Sequence, residues 1–168
     1  MTAFHCPLCP LVFAHRTELE WHVRAEHEDT GERTARLRAE AARALRRAPD
    51  TAELERLGSA RAQPSVSVFL STVPAASMTP IDALRLRHLA GQARRRLPPH
   101  PDPRVRTSVE DRLVYLVQAA EEFPTSRALA LYVSPDDMAT QSLDAPVEED
   151  VVVSDRFVLV GDHVAPGA

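Results

Sequence analysis

Apolar positions along the chain follow two rhythms. Over residues 65–73 they alternate, with Val66, Val68 and Leu70 on one side and Ser67, Phe69 and Ser71 on the other, the signature of a half-buried strand. Elsewhere the spacing is three and four. Leu37, Ala41, Ala44, Leu45 and Ala48 form a narrow stripe within an Ala-, Arg-, Leu- and Glu-rich run, which predicts a helix over 32–48 ended by Pro49. Asp50 or Thr51 then caps a short helix carrying Leu54 and Leu57. After Met78, Thr79 or Pro80 opens a longer helix whose apolar face is Leu86, Leu89, Ala90, Ala93 and Leu97. Residues 98–103 read as a proline-rich loop, and Ser108 with Asp111 three positions on starts a helix bearing Leu113, Leu116, Val117, Ala120 and Phe123. Residues 128–133 read as a buried strand; 138–143 and 151–160 supply further strands, the latter broken at Ser154-Asp155.

The order β, α, α, β, β, β over this part predicts a mixed layer structure with helices over a sheet. Taken with the N-terminal segment, the fold class is α+β. It comprises a small ββα finger at 1–30, a helical connector at 31–49, a mixed α/β domain at 50–162 with two helices packed on a small sheet, and a tail at 163–168.

The N-terminal segment has a different pattern. Cys6, Cys9, His22 and His27 read Cys-x2-Cys-x12-His-x4-His, with Phe4, Phe13 and Leu19 as the finger core. Two thiolates from a tight turn and two imidazoles about one helical turn apart complete a tetrahedral zinc shell. So few apolar residues cannot hold some thirty residues together, and one structural Zn2+ ion, worth about 10–16 kcal/mol in such peptides, supplies the folding energy. The segment resembles the Cys2His2 zinc-finger family at every ligand and core position. In DNA-reading fingers of that family the base-reading helix positions fall here on His15, Glu18 and Trp21. Trp21 is a poor reader of base edges, and Glu18, Glu20, Glu26, Glu28, Asp29 and Glu32 crowd the helix and its exit where phosphate wants cations. DNA binding by one finger is therefore the less favoured use, and Trp21 is the candidate contact for a protein partner.

Charge adds a direction. All 20 basic residues are Arg, with no Lys, no Asn and one Ile, a bias expected of a G+C-rich bacterial genome. Residues 1–65 are neutral overall, 66–112 carry net +4 and 113–168 net −8, so the chain total is −4. A polyanion would have to approach the first two-thirds of the chain. Arg85, Arg87, Arg94, Arg95 and Arg96, crowded on one predicted helix, are the candidate nucleic-acid contacts. Arg33, Arg36, Arg43, Arg46 and Arg47 form a discontinuous second set on the 32–48 helix, read more simply as a solvated face. No apolar run approaches the roughly 18 residues of a membrane span and no leader pattern stands at the start, so the expectation is a cytoplasmic protein with reduced thiols.

A second resemblance spans about 50–162. The stretches TAELERL from Thr51, PSVSVFLST from Pro64, PIDALRL from Pro80, ALALYVSP from Ala128 and PVEEDVVVSDRF from Pro146 are similar, in order, to the N-terminal domain of the bacterial archaeo-eukaryotic release-factor-like family. The resemblance implies a domain related to one that, in release factors, enters the decoding region of the small ribosomal subunit. The family's middle and C-terminal domains are not represented, and Ala90-Gly91-Gln92 lies inside a helical pattern and is not the GGQ loop of the middle domain. The segment from Phe123 to Arg127 also lacks the aromatic-polar-Gly stretch of the family.

Catalytic patterns are sparse: no nucleophile elbow, no Gly-rich phosphate loop and no second Cys/His cluster are present, and His88, His100 and His163 stand alone. Asp136-Asp137 and Glu148-Glu149-Asp150 read as solvated acids. The sequence thus points to a non-enzymatic, zinc-binding protein of translation, associated with the ribosome or structured RNA in stress or rescue. A small DNA-binding regulator or a protein adaptor are the competing expectations.

Overall fold

In the computed structural model, which describes residues 2–27, 30–59, 61 and 64–160, the central element is β3 (Ser65–Ser71). Its alternation places Val66, Val68 and Leu70 on one face and Ser67 and Phe69 on the other, and both faces are buried. It pairs antiparallel with β4 (Ala128–Val133) on one side, Val68 opposite Leu131, and with β6 (Asp150–Ser154) on the other, Val68 opposite Val151. A tight turn, in which Ser134 accepts Asp136 and Asp137 amides on its hydroxyl, folds β5 (Met138–Leu143) back onto β4. The four-stranded order is β5-β4-β3-β6, antiparallel throughout.

The described residues belong to two compact units, Met1–Leu37 and Arg38–Ala168. In the second, α4 (Pro80–Arg96) and α5 (Pro103–Glu121) cover the Val66/Val68/Leu70 face of the sheet. Leu86, Leu113 and Leu116 are fully buried between them and the strands. Pro80 sits in the first turn of α4 and the Thr79 hydroxyl accepts the Asp82 amide, as the sequence leads one to expect. Helix α5 starts earlier than expected. The 98–103 loop ends in an N-cap, Asp102 accepting the Arg104 amide with Pro103 next, so the helix gains a turn and more ahead of Ser108, and Phe123 falls past its end.

The connector expected at 31–49 becomes α2 (Thr30–Arg46), whose residues from Arg38 on belong to the second unit. Ala41 is fully buried in the same core as α4 and α5, Ala44 and Leu45 pack against it, and the Ala44 carbonyl accepts the Thr140 hydroxyl of β5. Small residues on that stripe let the helix lie close to the core.

The opposite face of the sheet corrects the half-buried reading of β3. Phe69, Ala130 and Tyr132 form a second core with Leu57 of α3 (Thr51–Ser59) and Phe157, and Val152, Leu159 and Val160 pack against it. No strand follows Ser154 among the described residues. Residues 155–160 cross the sheet as a cover, fixed where the Val158 amide donates to the Ser67 hydroxyl. Gly58 admits this segment, since a Cβ there would lie 2.9 Å from the Leu159 side chain.

This burial predicts that Phe69→Ala destabilises the second unit by about 3–5 kcal/mol in urea unfolding, the range for a fully buried aromatic. A change under about 1 kcal/mol would mean that this face is solvated.

Candidate metal centre

The first unit is built from a short hairpin and a helix: β1 (Phe4–His5), β2 (Val12–Phe13) and α1 (Arg16–His27). Phe4 pairs with Phe13 and His5 with Val12. Between the strands the chain turns tightly, the Cys6 amide donating to the Leu11 carbonyl at 3.0 Å and the Leu8 amide to the Cys6 sulfur at 3.4 Å. That turn aims both sulfurs at α1, and the helix brings His22 onto them.

The Cys9 sulfur and the His22 Nε2 stand 3.3 Å apart, and the ligand atoms of Cys6, Cys9 and His22 all lie within 4.8 Å of one another. A tetrahedral ion with bonds of about 2.1–2.3 Å spaces its ligands by roughly 3.4–3.8 Å, so shifts of about an ångström or less would bring the three donors onto one such ion. Cys6, Cys9 and His22 therefore form a group that can hold a metal ion, and both thiols are free of any disulfide. Burial pushes the Cys6 thiol up. The Leu8 amide and hydrogen bonds from Cys9 outweigh it, leaving that thiol below its ordinary range. His27 is the last residue of α1, and its side chain lies outside the described residues, as do Glu28 and Asp29 at the helix exit.

The finger's interior is largely its ligands. Cys6 and His22 are buried, whereas Phe4, Phe13 and Leu19 are half-buried, with the Phe13 ring 4.8 Å from the His22 imidazole. Trp21 points away from this interior and is 72% exposed, and Leu8, Leu11 and Val12 are exposed as well. His15 and Glu18 are on the solvent side.

The five arginines expected to meet nucleic acid do not act as one set. Arg85 is a strut: it donates to the buried Asp82 carboxylate at 3.0 Å and to the Ser71 carbonyl, and it pairs with Glu149. Asp82 in turn accepts the Val73 amide, a role the sequence did not announce because an acid in a first helical turn usually serves only the helix. Arg87 grips Glu121 with two hydrogen bonds of 2.5 and 2.7 Å, and this contact raises its already high pKa. Arg96 donates to the Val151 carbonyl of β6. Arg94 and Arg95 are exposed and without an ion pair among the described residues.

The remaining candidates are ordinary. His88 hydrogen-bonds Gln92, the His100 ring accepts the Asp102 amide, and His163 lies in the tail outside the described residues. Among the described residues Cys6, Cys9 and His22 are the one Cys/His/Asp/Glu group placed to hold a metal ion, and no helix is long and apolar enough to cross a membrane. No protein-family model matches the chain, and no curated protein matches it.

Cys9→Ser removes one corner of the donor set. The expected result is at least a tenfold loss of metal affinity, read by titration with Co2+, and loss of amide-exchange protection over α1 with β3 and β4 unchanged. Full protection of α1 after exhaustive chelation would show that the finger does not depend on metal.

Proposed function

We propose that the chain is a non-enzymatic, zinc-dependent binding protein of the bacterial cytoplasm, associated with the ribosome or structured RNA during translation stress or rescue. The observation that carries it is the convergence of Cys6, Cys9 and His22 on one point of a hairpin-helix unit. With His27 as fourth ligand, as the sequence spacing implies, the shell is closed to water and the Zn2+ is structural. Its chemistry is then to hold a fold, and the protein's work is recognition.

Support for the ribosomal reading comes from where the release-factor-like stretches fall. They lie on α3, β3, the start of α4, β4 and β6, elements of one compact unit with helices on an antiparallel sheet. Arg94 and Arg95 at the end of α4 offer exposed charge for phosphate. A protein adaptor is the second reading, favoured by the exposure of Trp21, because a large aromatic ring in water at the finger surface suits a partner's pocket. Glu18 and Glu20, both exposed on α1, oppose a DNA backbone along the same helix and keep DNA recognition behind both.

Co-sedimentation with ribosomes from the native cell separates these. The expected outcome is co-migration at low salt that weakens at moderate salt and survives Trp21→Ala. Protein left at the top of the gradient overturns the ribosomal reading, and loss of partner capture by Trp21→Ala alone selects the adaptor.

A further inference from the structure

The second half of α2 carries charge in a way that α4 does not. At 100° per residue, Arg38, Ala42, Arg46, Ala39, Arg43 and Arg47 follow one another around α2 between Leu45 and Glu40, with Arg38 next to the apolar stripe and Arg47 just past the helix end, and no acid falls among them. All four arginines are exposed. The one acid in this stretch, Glu40, is turned to the side and bound to Arg112.

The ridge is bordered by clefts on both sides. Toward α3, Arg43 and Arg47 join Arg56 around a cleft of about 270 Å³. Glu53 there is bound to Arg47, Glu40 is bound to Arg112, and Asp137 also lines the cleft. Toward α5, Arg38 and Arg46 face Tyr115 and Phe123 across a cleft of about 450 Å³, with Gln118 and Glu122 beside them. The Arg38 guanidinium lies over the Tyr115 ring, 5.7 Å from its centre. A guanidinium drawn to a ring at the mouth of a cleft can also meet the face of a base, and the half-buried Phe123 offers a flat surface beside it. Arg43, Arg46 and Arg56 make no ion pair among the described residues.

We propose that this α2 ridge is a contact surface for single-stranded RNA. Its phosphates would run along Arg43, Arg46 and Arg47, and a base would stack in the α5-side cleft against Arg38 and Phe123. The choice of a single strand follows from the rings beside the arginines: phosphate alone would need only charge, whereas flat surfaces in a cleft serve bases that are not paired in a helix. The inference rests on the RNA reading of the preceding section but moves the main contact from α4 to α2.

The test uses the full zinc-loaded chain and a fluorescein-labelled, 12-nucleotide mixed-sequence RNA, followed by anisotropy across salt. Three phosphate contacts to a single strand give a slope of log K against log salt of about −2.1, and Arg43→Gln with Arg46→Gln lowers it to about −0.7. The corresponding Arg43→Glu, Arg46→Glu variant loses at least tenfold in affinity, while Arg94→Glu with Arg95→Glu changes it less than threefold. Exposed positions keep these variants folded, which urea unfolding checks. Binding abolished by the α4 reversal but untouched by the α2 reversal overturns the ridge and leaves the RNA reading standing. Failure of the unmutated protein to bind this RNA overturns the ridge while the ribosomal reading stands or falls by co-sedimentation, and tighter binding to a 12-base-pair DNA duplex overturns both.

Discussion

Everything in the larger unit hangs on β3. It is hydrogen-bonded to a strand on each side and buried on each face, and together with β4 it joins the two cores on opposite faces of the sheet. Val66, Val68 and Leu70 serve the helical layer, Phe69 serves the opposite face, and beside the terminal Ser65 the buried polar exception is Ser67. That hydroxyl sits in an apolar surrounding because it has a backbone amide to accept, which removes the penalty an unpartnered buried hydroxyl carries.

Elements with a strong local rule could be read from the sequence. The α4 helix announces itself by its cap, its proline and its apolar face, and β4 by an unbroken apolar run. The finger is equally plain, because the spacing of Cys6, Cys9 and His22 encodes the same hairpin and helix that bring their donor atoms together. Features set by distant residues could not be read. Nothing within 65–71 says that Phe69 will meet Leu57 and Phe157, since period-two alternation describes the sides of a strand and not what covers them. The early start of α5 was hidden because prolines at 98–103 look like a loop, while the pair Asp102-Pro103 is also a good way to begin a helix. Charge was the least legible property. An Arg-rich helix reads as a basic surface, yet Arg85, Arg87 and Arg96 spend their donors on Asp82, Glu121 and the Val151 carbonyl. Two of these partners, Glu121 and the Val151 carbonyl, stand tens of residues away in the chain.

The two units are stabilised by different means. The larger has enough surface to bury two apolar layers around a sheet. In the smaller, Phe4, Phe13, Leu19 and Val23 of the hairpin and α1 are only half-buried, and the Cys6, Cys9 and His22 donor group stands where a core would be.

The cover over Phe69 and Tyr132 has a consequence for the order of synthesis. Strand β6 and the residues that close the second face, Phe157 to Val160, follow every other element of the unit in the chain. A nascent chain that has reached β5 already possesses α3, α4, α5 and three strands, but β3 still has one bare edge and its second face is covered only in part, by Leu57. The unit can complete itself only after the last of these residues emerges, and until then the exposed aromatic face is a surface that chaperones can hold.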